Sequence, residues 1–235
     1  MALPKHIRPE YSTTIPSTGQ KIKYQPFSVK EEKVLILAAE SGDTDEITNA
    51  VRNVLENCVT SPTDFKADKL ALFDVEYLFL KTRSKSVGEK IEVRITDPND
   101  DDYVVNHEIN IDKIGVLKNP DHKDLVELNG DVHVKMRYPD ISFFNDGIDI
   151  NSVVTSINLI TRCISQIVVG EEVYNRDEMS ESEMVEWIES LTTKEFTKVC
   201  EFFKTMPKLS HTIKLKNPNT GKEFQVTLEG LSDFF

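Results

Sequence analysis

Little in this 235-residue chain lends itself to catalysis, and each scarcity excludes a class of function. It has three cysteines, five histidines and nine glycines. Cys58, Cys163 and Cys200 are odd in number, far apart and unaccompanied by close histidine pairs, so they read as reduced thiols rather than a disulfide framework or a zinc site. Nine glycines are few for phosphate cradles, and neither a Walker loop nor a G-x-G-x-x-G occurs. G-x-S-x-G and H-E-x-x-H are also missing. His6, His107, His122, His133 and His211 are scattered singly and read as structural or exposed. The opening residues MALPKHIRPEY carry no apolar core, so no signal peptide is expected there. No run approaches the roughly 18 to 20 apolar residues that cross a bilayer, so no membrane partner is expected.

Positive charge is scarce as well. Forty acids stand against 28 bases, a formal net charge of −12. Such a field repels phosphate backbones, and the basic residues form no patch interleaved with aromatics, so no nucleic-acid partner is expected. What remains is an ordinary globular composition, 39% hydrophobic and 29% charged, long enough for one large domain or two small ones.

The N-terminal half has strong local signals. Residues 1–12 hold two prolines and no periodicity, and read as an extended arm. Tyr11 to Ile15 and Lys21 to Phe27 flank Pro16-Ser17-Thr18-Gly19, which suits a tight turn with a residue at positive φ. Ser28 with Glu31 forms a capping box that starts a helix at Val29. Val34 to Ala39 is apolar all round, which predicts burial on most sides. Asp43 with Glu46 caps a second helix with an apolar stripe of Ile47, Val51, Val54, Leu55 and Cys58. A third helix begins at Asp74, with Val75, Leu78 and Phe79 inward.

From Lys90 the period becomes two. Lys90 to Thr96 and Tyr103 to Asp112 read as a hairpin with a long acidic tip, DPNDDD. Leu125 to Leu128 and Val132 to Tyr138 read as strands joined through Asn129-Gly130. A long apolar stripe from Val153 to Ile167 predicts a helix over that whole range. Ser180 with Glu183 and Thr192 with Glu195 cap two short helices, the second stopped by Pro207. Residues 171–195 carry nine acids against Arg176 and Lys194, read as a solvated helix face. A last hairpin closes through Pro218-Asn219-Thr220-Gly221, which repeats the P-x-T-G of residues 16–19.

The expected fold class is α+β: a mainly helical body, an antiparallel β subdomain, and β-hairpins near both termini. The expected divisions are an arm at 1–12, a hairpin and helices at 13–88, a β subdomain at 89–138, and helices with a hairpin at 139–235 that join 13–88 in one compact unit. No catalytic residue, cofactor or metal ligand is expected. The one carboxylate cluster is Asp97, Asp100, Asp101 and Asp102 with His107 nearby. It lacks the register of an EF-hand, and a solvated hairpin tip is favoured over a divalent-cation site or a metal-dependent enzyme built on it. Tyr11, Trp187, Phe234 and Phe235 are the candidate partner contacts. The two terminal phenylalanines either dock on the body or are offered to a partner.

One resemblance narrows this reading. STGQKIKYQPFSVKEEKVLILAAESGD, followed by LFDVEYLFLKTRSKSVGEKIEV, resembles the baseplate hub proteins of T4-like contractile-tailed phages, described as hub subunits or hub assembly proteins. The resemblance is strongest over residues 14–96 and returns in the terminal EGLSDFF. It implies a non-enzymatic role in virion assembly, binding other baseplate hub or tail proteins in the host cytoplasm and, for a permanent subunit, in the virion tail. A homo-oligomer is compatible with it. The alternative from composition alone is a generic acidic adaptor unrelated to phages.

Overall fold

The computed structural model describes residues 7–146 and 153–234. The described chain is α+β, as the periodicities predict, with six α-helices and twelve short strands, all paired antiparallel. It divides into two compact units: one formed by residues up to Leu117 and from Lys208 onward, the other by Lys118–Pro207.

In the first unit, β1 (Tyr11–Thr14) and β2 (Lys21–Tyr24) form the first hairpin, and β3 (Val59–Ser61) adds a strand beside β2. Helix α1 (Val29–Ser41) starts at the Ser28 capping box and ends at Gly42, whose φ of 68° supplies the left-handed cap. Helix α2 (Thr44–Cys58) starts where the Asp43 side chain accepts the Glu46 N–H. It buries Val51, Val54, Leu55 and Cys58, while Ile47 stays 38% exposed.

The all-round apolar run of α1 is not buried on most sides. Among its residues only Ala38 is buried, and Val34, Ile36 and Leu37 are 42%, 51% and 54% exposed. The physical reason is that the principal neighbour of α1 is α2. A helix with one neighbour buries one face, whatever its other faces carry.

Helix α3 (Leu72–Ser86) is the centre of this unit, with Val75, Leu78, Phe79 and Leu80 buried. Its first turn has no local cap at Ala71. Instead Asp74, fully buried in that turn, accepts the N–H of Ser17 at 2.9 Å and the Ser17 hydroxyl, which fixes the P-x-T-G loop onto the helix N-terminus. The acidic hairpin is tighter than expected. Strand β4 (Lys90–Asp97) runs on to Asp97 and β5 (Asp100–Asn110) restarts at Asp100, so only Pro98 and Asn99 make the turn. Strand β6 (Gly115–Leu117) then pairs with β11 (Lys208–Lys216), which also pairs with β12 (Glu223–Glu229) in the order β12-β11-β6.

The second unit is a four-stranded antiparallel sheet with helices. Strands β7 (Leu125–Asn129) and β8 (Val132–Met136) form the expected hairpin. Helix α4 (Val153–Cys163) stops earlier than its apolar stripe predicts, and Ile164–Val169 becomes β9, paired on one side to β8 and on the other to β10 (Glu172–Asn175). Ile164 and Ile167 are buried in both readings, so burial alone could not distinguish a helix from a two-sided strand at 164–169. The acidic run 171–195 is therefore part strand. Helices α5 (Glu181–Glu189) and α6 (Thr193–Thr205) start at their two capping boxes and place Met184, Ile188, Val199 and Phe202 in this unit's core.

The stretch 89–138 is thus not one β subdomain. Its hairpins form where expected, but β4–β5 and β6 belong to the first unit, and β7–β8 to the sheet of the second. Likewise, residues 208–235 join the N-terminal helices while the helices before them do not. Hairpin signals specify a strand's sequence neighbour and carry no information about the distant strand that flanks it.

Candidate interaction sites

Tyr11 lies at the rim of a cleft of about 460 Å³. The hairpin contributes Tyr11 and Tyr24, α3 contributes Tyr77, Lys81 and Lys85, and the turn after β5 contributes Asp112. The spacing of Lys81 and Lys85 places both amines on one side of α3. The Lys85 amine lies 5.6 Å from the Tyr11 ring centre and the Lys81 amine 5.3 Å from that of Tyr77. Lys85 also pairs with Asp112 at 3.1 Å and with Glu89 at 2.5 Å. Lys81 donates to the backbone carbonyl of Asp112.

These contacts set the protonation states. Burial would raise the Asp112 carboxyl, but hydrogen bonds from Lys85 and Ser84 and the charge of Lys81 hold it below the usual range. Burial lowers Lys81, partly offset by Asp112. Burial, then Asp112, pushes the Tyr24 phenol up to about 12. The cleft therefore presents tyrosine hydroxyls and already paired lysines. It can hydrogen-bond a partner's polar backbone. Tyr11 was a candidate contact from the sequence. Lys81, Lys85 and Asp112 were not, because Asp112 reaches the two lysines only through tertiary structure.

The other sequence candidates lie elsewhere. Trp187 belongs to the second unit, half-buried against its core. Phe234 is fully buried in the first unit. The segment leading to it is held by Leu231 N–H donating to Glu76 at 3.2 Å and by Glu229 N–H donating to Asp233 at 2.8 Å. Of the two fates open to the terminal aromatics, Phe234 takes docking on its own body. Phe235 lies outside the described residues. Burial pushes the Glu76 carboxyl up to about 7, and the Leu231 N–H opposes this weakly.

The acidic hairpin tip is solvated at Pro98, Asn99, Asp101 and Asp102, as expected, while Asp97 is buried and Asp100 half-buried. Asn217, fully buried in the second P-x-T-G loop, donates from its side-chain amide to Asp97 at 2.8 Å and to Asp100 at 2.9 Å. The Asn217 hydrogen bond, with that of the Asn99 N–H, holds the Asp97 carboxyl below its usual range. Among the described residues no group of three or more His, Cys, Asp or Glu side chains could hold a metal ion. Cys58 and Cys163 are buried, and burial pushes both thiols to about 12, far from a reactive thiolate. His122 sits among the rings of Tyr138 and Phe202, with Nδ1 2.9 Å from the Thr205 hydroxyl, and burial lowers its pKa. No described helix is long and apolar enough to cross a membrane.

With the fold and these surfaces in place, comparison with known proteins adds the decisive observation. The model of the family described as T4 bacteriophage base plate protein matches residues 8–235. The chain belongs to that family. Neither the curated proteins nor the solved structures provide a match. Family membership covers nearly the whole base plate chain, wider than the 14–96 stretch that carries the resemblance most strongly. It sets aside the alternative of an adaptor unrelated to phages. Its natural partners are other phage baseplate proteins.

Proposed function

We propose that this base plate protein acts by protein–protein binding in assembly of the baseplate hub, as a hub subunit or as an assembly chaperone. The observation that carries the reading is the family match over residues 8–235, combined with the hub-like order of the segments between residues 14 and 96. The strong acidity fits a protein kept soluble until it meets its partner, and favours the chaperone version. Tyr11 with its cleft, and Trp187 beside the acidic α5 face, are the proposed contacts. The metal-enzyme reading loses its support because Asp97 and Asp100 are both engaged by Asn217.

Quantitative mass spectrometry of purified phage particles separates the two versions. A hub subunit is present at fixed stoichiometry. A chaperone is found with hub proteins in the infected-cell lysate and is missing from the particle. Failure to co-purify with any baseplate protein from that lysate would overturn both.

A further inference from the structure

The exposed face of α1 is chemically complementary to itself. Three of its apolar side chains share the outward face, Val29 at 79% exposure, Ile36 at 51% and Leu37 at 54%, with Val34 at 42% towards its flank. Such residues on a helix with a single principal neighbour form a surface that water covers poorly. Apart from the half-buried first-turn acids Glu31 and Glu32, the charges along the helix are segregated. Lys30 and Lys33 stand in the N-terminal half, Glu40 near the C-terminal end, and Asp43 just beyond the cap. Between residues 34 and 51 there are four acids, Glu40, Asp43, Asp45 and Glu46, and no base. None of Lys30, Lys33 and Glu40 has an ion-pair partner among the described residues.

We infer that this face is the contact between two copies of the chain, with their α1 helices packed antiparallel. If the two-fold axis passes between Ile36 and Leu37, one register matches the central apolar pair and the flanking charges at once. Ile36 of each copy meets Leu37 of the other, Lys33 meets Glu40, and Lys30 meets Asp43. The four apolar side chains at the axis then form the dry centre, and the ion pairs close both ends, about 10 Å apart along each helix. A two-fold contact uses the same patch twice, so a face must be self-complementary in this way for the contact to close. Antiparallel packing also sets opposite helix dipole ends beside each other. Parallel packing would stack lysine on lysine and glutamate on glutamate. An unrelated acidic partner would gain from Lys30 and Lys33 but be repelled by the four acids that follow.

Sedimentation velocity of the full chain tests the inference. The mass is expected to rise from 26.8 kDa towards twice that value as concentration increases from about 1 to 100 μM, the affinity range expected of one helix pair. Lys33→Glu or Glu40→Lys alone replaces two attractions with two repulsions and is expected to weaken association at least about tenfold. The double variant K33E/E40K restores opposite charges across the axis and should return the affinity to within about threefold of the parent. Both positions are exposed, so circular dichroism of the three variants should be unchanged. A monomer throughout, a dimer that the single variants leave unaltered, or a double variant no better than the singles would each overturn the inference.

Discussion

At the scale of single residues, most polar groups that look functional in the sequence turn out to hold two segments together. Asp74 fastens the first P-x-T-G loop to α3, and Asn217 fastens the second to the β4–β5 turn. The two loops close alike: Gly19 N–H donates to Ile15 and Gly221 N–H to Asn217, at 2.9 and 2.8 Å, with φ of 73° and 70°. Glu76 does the same for the C-terminal segment, with a cost. Its folded pKa, about 7, lies above the ordinary 4.5. The stability linked to it is therefore fully present below about pH 4.5 and is lost as pH rises through 7. Thermal unfolding of the wild type should accordingly decline between pH 5 and 8. Glu76→Gln keeps an oxygen acceptor for Leu231 without the charge, so it should flatten that decline and stabilise the protein at pH 8 by up to about 3 kcal/mol. A variant that loses stability equally at both pH values would show that the ionised carboxylate is the favoured form. Phe234 belongs to the same assembly. Its ring is fully buried, so Phe234→Ala should lower unfolding stability by about 3–5 kcal/mol in urea titrations, the cost of a core aromatic. A loss below about 1 kcal/mol would instead mark the ring as available to a partner.

At the scale of elements, boundaries set by local chemistry were legible and those set by tertiary contacts were not. The three S/T-x-x-E boxes read as helix starts, at Ser28, Ser180 and Thr192, do start helices, because the cap is complete within four residues. Ser28→Ala should therefore destabilise the N-terminal turn of α1 by about 1 kcal/mol, read as faster amide exchange over residues 29–32. Unchanged exchange would mean that the turn is held by packing rather than by its cap. The misread elements share a different cause. At 164–169 an apolar stripe fits either a helix or a central strand, and the choice is made by β8 and β10 on its two sides. For α1, the hydrophobic run predicts burial, but among the described residues α2 is its one principal neighbour. The cleft at Tyr11 was half visible, as a tyrosine on a hairpin, while its lysines and Asp112 meet only after the chain has folded.

At the scale of the whole molecule, the chain leaves one unit, completes a second, and returns to the first. The second unit is continuous in sequence and has its own core, from Leu128 and Val134 on the sheet to Val199 and Phe202 on α6. The first unit is discontinuous. Its strand β11 lies between β6 and β12, and Glu76 waits for the N–H of Leu231. The two should therefore differ in autonomy. A fragment of residues 118–207 should fold alone and unfold in one cooperative urea transition followed by circular dichroism, because no strand of its sheet comes from outside it. A fragment ending at residue 117 lacks β11 and β12 and leaves β6 unpaired, with Glu76 and the neighbours of Phe234 uncovered. It should show a non-cooperative transition or aggregate, and adding residues 208–235 through a short linker should restore cooperativity. If instead the N-terminal fragment folds cooperatively and the 118–207 fragment does not, the contacts within each unit are not what stabilises it. The long-range closure of β6 by β11 would then be a late ornament rather than the step that completes the first unit.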